Sequence, residues 1–299
     1  MATFRPLFRY TVYDALPAMC GVAIVALIVW TFVAFDSLPW WILAPAFVAI
    51  AWSYNWNMNC ISHNFIHNPF FSNVWLNRAY SVLETLAIGV PHVFYHHYHM
   101  NHHFGDSDAR GPDGTTRDWS SIYRYGKNGQ PEGFWSYCLL SFFRTEVWAV
   151  LTTTAKFGWK RVAEAAVETV VLAAFWITMA IVNWRYFVFF YLTSYYLGWV
   201  LTYMESYLEH YGAEPGNPYA NSVSSYHRLY NLLWFNNGYH QEHHWDPKRH
   251  WTRMAELHEE IKDQLAANGT RMLNGPHFTA LIEDYFGRRR ERETSATAA

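Results

Sequence analysis

Charge is scarce in this chain: only 15% of its 299 residues are Asp, Glu, Lys or Arg, against roughly 25% in soluble domains. No charged residue occurs from Ala15 to Phe35, and none between Asp36 and Arg78. Such gaps exclude an ordinary water-facing surface over these stretches. Cysteine is scarce too. Cys20, Cys60 and Cys138 are too far apart for a zinc or iron–sulfur motif, and their odd number argues against a disulfide framework. A net charge of −2 leaves no electrostatic footprint for nucleic acid. The sequence shows no glycine-rich flavin or nicotinamide motif, no CxxC pair and no haem-attachment motif, so it carries no visible electron carrier. No linker divides it. Residues 1–299 therefore read as one domain, with a polar tail at 285–299 expected to be disordered.

What is present is oil, aromatic rings and histidine. The chain is 52% apolar and 19% aromatic. About 20 apolar residues cross a bilayer as a helix. Four stretches meet that length, 17–35, 39–60, 162–182 and 186–204, and they form two hairpins closed by the turns at Asp36–Pro39 and Asn183–Arg185. All but one of the 22 Lys and Arg residues fall outside these two turns, the exception being Arg185. The positive-inside rule then places both hairpins with their ends in the cytoplasm. The stretches 75–93 and 134–154 are apolar but hold Arg78, Glu84, Arg144 and Glu146, and are expected at the membrane interface as amphipathic helices. A mean hydropathy of −0.11 is too polar for spans alone. The expectation is an all-α integral membrane protein of about four transmembrane helices with a helical cytoplasmic cap. It would lie in the inner membrane of a bacterial source.

Histidine falls in clusters: His63 and His67 as HxxxH, His99, His102 and His103 as HxxHH, His240, His243 and His244 as HxxHH, and His210 just past the fourth apolar stretch. Positions i, i+3 and i+4 share one side of a helix, so each cluster is expected to aim its nitrogens at one place. Nine imidazoles exceed the needs of one ion and suit two, with four or five ligands each. Imidazole suits zinc, copper, iron and nickel alike. Closed structural zinc sites usually include cysteine, and none stands near the clusters, which favours a redox pair over a zinc protein or a metal transporter. Glu209, Glu242, Asp106 and Asp108 are placed to hold the second nitrogen of a ligand, and Asn236 and Asn237 either to bind a metal-bound water or to form a turn. His96 is a weaker ligand candidate. His227, His250, His258 and His277 read as surface or capping residues. Trp52, Tyr54, Trp56 and Tyr203 are candidates for lining a substrate tunnel.

The order HxxxH, HxxHH, HxxHH from Cys60 to Trp245 resembles the membrane fatty-acid desaturase and hydroxylase superfamily. The segment Ser206-Tyr-Leu-Glu-His-Tyr-Gly212 is similar to the EHYG motif of membrane alkane hydroxylases, while the second cluster has the desaturase spacing. The resemblance implies two non-haem irons on His63, His67, His99, His102, His103, His210, His240, His243 and His244, with O2 as co-substrate and a lipid or hydrocarbon as substrate. It implies desaturation of an alkyl chain, or alternatively hydroxylation of an alkane or fatty acid. A separate ferredoxin- or rubredoxin-like donor would supply electrons, with Lys156, Lys160, Arg161, Lys248, Arg249 and Arg253 as its basic dock.

Overall fold

The computed structural model describes residues 6–104 and 107–284. The tail expected to be disordered and Asp106 lie outside them. The described residues are mostly helical, with irregular stretches between helices and a parallel pairing of two-residue strands, β1 (Ser224–Ser225) with β2 (Met272–Leu273).

Each apolar stretch becomes a helix because a chain without polar side chains must satisfy its backbone groups internally. The first is α1 (Ala15–Ala34), with Pro17 in its first turn, where the missing N–H costs nothing. Pro39 precedes α2 (Trp40–Trp56), which runs through a π-helical stretch, Asn57–Ile61, into α3 (Ser62–His67). The second apolar stretch and the first histidine pair therefore lie on one nearly continuous helical rod. Next come α4 (Val74–Ile88) and α5 (His92–Phe104). The Asn73 side chain accepts from the Trp75 and Leu76 N–H groups at the start of α4. Gly89, at φ 68°, ends that helix. Two short helices follow, α6 (Phe134–Leu140) and α7 (Val147–Lys156), and then α8 (Trp159–Val182). A second π-helical stretch, Tyr186–Tyr191, leads into α9 (Leu192–His210). The cap is closed by α10 (Arg228–Leu233), α11 (His240–Trp245) and α12 (Met254–Ala267).

Two helices, Val12–Ala34 and Trp159–Val182, are long and apolar enough to cross a membrane. Val167, Val170, Ile177 and Ile181 of α8 point outward and are exposed. The rods containing α2 and α9 form the centre. A methyl group on Gly198 would come within 2.5 Å of Tyr54 Cβ and 2.8 Å of the Ala51 carbonyl, so only glycine permits this crossing. Around it pack Ile28, Ile50, Tyr54, Met179, Tyr186 and Tyr191.

The two hairpin turns meet. Asn183 Nδ2 and the Arg185 guanidinium each donate to Asp36, at 2.8 Å. Trp40, Trp41 and Trp184 are exposed at this end. At the other ends of the rods lie the histidines.

Candidate metal centre

All nine expected imidazoles come together, but not cluster by cluster. His63, His67, His99, His103 and His243 form one group, with ring nitrogens within 4.8 Å of one another. His102, His210 and His244 form a second group by the same measure, and His240 Nε2 joins it at 3.3 Å from His210 Nε2. Each HxxHH box is thus divided. The i, i+4 pair His99 and His103 meets the single His243 of the third box, while the pair His240 and His244 meets the single His102 of the second. This corrects the expectation that each box aims at one place. At about 100° per residue, His99 and His103 differ by roughly 40°, whereas His102 and His103 differ by roughly 100° and face different ways. Tyr98 and Tyr239 precede the two boxes that share these groups.

Within each group the rings face one another through Nε2. His63 to His243 is 2.8 Å, His103 to His99 2.9 Å, His99 to His67 3.0 Å, His243 to His103 3.1 Å, and His102 to His210 3.1 Å. Partners on the opposite nitrogen set the tautomer. His63 Nδ1 lies 3.0 Å from the Asn59 carbonyl, which only accepts, so Nδ1 carries the proton and Nε2 a bare lone pair. His102 Nδ1 donates to Asp118 at 2.7 Å, and His210 Nδ1 donates to the Asn221 carbonyl at 3.3 Å with the Asp108 carboxylate 3.0 Å away. Bare lone pairs packed against one another repel unless a cation lies between them. A donor set made wholly of imidazole, with carboxylates behind it and no cysteine, fits a pair of first-row transition-metal ions.

Burial keeps seven of the nine rings neutral. It holds His63 down at about 4, and it pushes His67, His99, His103, His240, His243 and His244 well below the usual 6.5, helped by neighbouring imidazoles. His102 is the contrast: burial lowers it, but Asp118 more than offsets this and raises it.

Of the carboxylates expected behind the ligands, Asp108 is in place. Glu242 instead accepts from Ser224, Tyr226 and His258. Glu209 accepts from Asn237 Nδ2 at 2.7 Å, and Asn237 Oδ1 lies 3.2 Å from His63 Nδ1, so Asn237 links the two halves of the centre. Asn236 donates to the Trp251 carbonyl. Sequence reasoning missed Asp118, which sits in a loop without periodicity. It also missed a buried cluster of Glu205, Glu209 and His277 beneath the second group. Burial and the nearby Glu205 push the Glu209 carboxyl well above its usual range. Glu205 accepts from Asn55 and Tyr230, and His277 Nε2 donates to the Val223 carbonyl. With these atoms already partnered, the cluster braces the centre rather than offering a third metal site.

His277 is wholly buried, which corrects its reading as a surface or capping residue, and the half-buried His258 bonds Glu242. His227 and His250 do cap helices. His96 joins neither group of imidazoles. Of the proposed dock, Arg161, Arg249 and Arg253 already pair with carboxylates.

An apolar cavity of about 180 Å³ opens onto the centre. That is more than ten times the roughly 10–15 Å³ that one water needs. His63, His99, His102, His210 and His240 stand at its inner end, Tyr98, Trp199 and Tyr203 along it, and Val150 and Leu151 of α7 beyond them. Tyr203 is the one tunnel candidate that lines it. Trp52 packs on Trp234, Tyr54 is in the core, and Trp56 donates to the Leu233 carbonyl.

Helical rods that bring two groups of imidazoles to the end of an apolar cavity define a membrane protein with a histidine-rich centre. The fatty acid desaturase profile matches residues 38–275, and the chain belongs to that family. It is also similar to a sphingolipid delta(4)-desaturase of Schizosaccharomyces pombe, 27% identical over 217 residues. That match takes in 69% of this chain and 58% of the relative's length.

Proposed function

We propose that this chain is an O2-dependent di-iron oxidoreductase that desaturates the alkyl chain of a lipid. The observation that carries the proposal is the convergence of nine imidazoles, in groups of five and four, at the inner end of an apolar cavity. His63, His67, His99, His103 and His243 would hold one iron, and His102, His210, His240 and His244 the other. When bound, such a pair supplies the oxygen activation needed to take hydrogen from an unactivated carbon. The residues of the chain orient and exclude. Tyr98, Trp199 and Tyr203 flank the alkyl chain and set which carbon reaches the centre, where small misplacement costs large rate factors. Apolar walls keep bulk water out. Asp118 holds Nδ1–H of His102, and the Asn221 carbonyl with Asp108 beside it holds that of His210, fixing their lone pairs toward the centre.

The family match, the desaturase relative and the spacing of the second box support desaturation. The two long apolar helices support placement in a membrane, and we read the rods through α2 and α9 beside them as the other two spans. The lysines and arginines support a cytoplasmic centre. A separate ferredoxin- or rubredoxin-like donor would deliver the electrons.

The test is to incubate the purified protein with lipid, a donor system and isotope-labelled O2, after measuring its metal content. About two irons per chain and a new double bond without added oxygen are expected. Label retained as a hydroxyl would convert the proposal to a hydroxylase, and zinc without iron would end it.

A further inference from the structure

A second cavity lies across α5 from the first. Phe94, Tyr95 and Tyr98 line the first cavity, while His92, Val93 and His96 line the second. Three guanidinium groups rim the second cavity, those of Arg9, Arg78 and Arg161. Glu164 pairs with both Arg78 and Arg161. Arg9 has no carboxylate partner among the described residues. Another acid, Glu168, is buried behind the cavity wall and accepts from Ser81 Oγ at 2.7 Å and the Val93 N–H at 2.8 Å. The rim is therefore net positive. Its floor is oil: Phe65, Ile66, Phe71 and Val93.

One buried atom at this cavity lacks a partner. Ser81 donates to Glu168, so its oxygen accepts from His92 Nδ1, 2.9 Å away. His92 Nε2 then carries a lone pair and has no hydrogen bond, although the residue is 4% exposed. Burial holds this ring down at about 3 and His96 at about 4, so both are neutral. A ligand suited to this site brings an anion for the arginines, a hydroxyl donor within reach of the histidine and an apolar part for the floor.

Position narrows the ligand further. Arg9 precedes α1, Arg78 follows the start of α4, and Arg161 follows the start of α8. Trp75 and Trp159 are exposed beside them, as tryptophans are at the level of lipid head groups. We propose that this cavity binds the phosphate head group of an anionic, hydroxyl-bearing membrane lipid, distinct from the substrate cavity. The head group pairs with Arg9 and shares Arg161 with Glu164, its hydroxyl meets His92, and the start of its acyl chains lies on Phe65 and Phe71.

The test is reconstitution of the full chain in nanodiscs of phosphatidylcholine with a minor fraction of phosphatidylglycerol, then native mass spectrometry of retained lipid after mild detergent. Phosphatidylglycerol should be retained over phosphatidylcholine. R9A should lower that preference about fivefold, as one cation near an anionic lipid implies, and R9A/R161A should lower it further. R161K should keep most of it. Arg9 precedes the first helix, so R9A decides the matter even if the double variant fails to fold. Equal retention of the two lipids, or unchanged preference in R9A, overturns the proposal. Displacement by millimolar inorganic phosphate overturns the lipid assignment in favour of free phosphate. None of these outcomes depends on iron or turnover, so failure here leaves the histidine centre untouched.

Discussion

At the scale of single residues, the centre is as much a matter of what stands behind each imidazole as of the imidazoles themselves. His102 and His210 face one another with Asp118 behind the first, and with Asp108 and the Asn221 carbonyl behind the second. Removing such a partner typically costs 10–100-fold in metal affinity. D118N and D108N should therefore each lose iron to a chelator at roughly 10–100-fold lower chelator concentration than the parent, while retaining the far-UV spectrum of the helices. Unchanged iron retention would remove the carboxylates from the design. His277 makes a different prediction. It lies outside the nine, and burial holds it at about 4, below the ordinary 6.5. Below about pH 6.5 the unfolded chain binds a proton there that the folded chain refuses. Its contribution to stability is complete above that value and is lost as pH falls toward about 4, by about 3 kcal/mol. Melts in detergent should show H277Q with a shallower loss between neutral and mildly acidic pH than the parent. Parallel curves would mean the ring is not held neutral.

At the scale of elements, the helices bring their ligands together by close crossing and by local widening of the turn. The rod through α2 and α3 delivers His63 and His67, and α9 delivers His210. Their separation is set where Gly198 lies under Tyr54 and the Ala51 carbonyl. Adding one methyl in such a packed contact costs roughly 1–3 kcal/mol. G198A should lower the melting temperature and reduce bound iron together, because the crossing and the ligand spacing are one feature. A variant that melts lower but keeps its iron would separate them. The π-helical stretch Asn57–Ile61 lies just before the first ligand, and the Asn59 carbonyl within it accepts from the His63 ring. Widened turns of this kind often occur at functional sites, here fixing the direction of a ligand.

At the scale of the whole molecule, what was legible in the sequence was what repeats locally. The long apolar stretches became α1, α2, α8 and α9, with ends shifted by a few residues, and all nine histidines met. The fourth run continues unbroken to His210, with no proline or glycine between its expected end at Met204 and Gly212. What stayed hidden depends on contacts between segments distant in the chain. The division of each box, the partnership of Asp118 and the burial of His277 follow from where α5, α9 and α11 meet, and no spacing encodes that. The same holds for the clasp of Asp36 with Asn183 and Arg185, which joins the two hairpin turns at one end of the molecule. If both hairpins span, that clasp and the cap lie on opposite sides of the bilayer. Cysteines introduced at Ser37 and Lys248 in sealed, oriented vesicles should react with a membrane-impermeant maleimide from opposite sides, Lys248→Cys from the cytoplasmic one. The native thiols compete little, since Cys60 and Cys138 are buried and Cys20 is partly covered. Labelling of both from one side would break the two-hairpin arrangement and leave α1 and α8 as the only long apolar helices to account for membrane attachment.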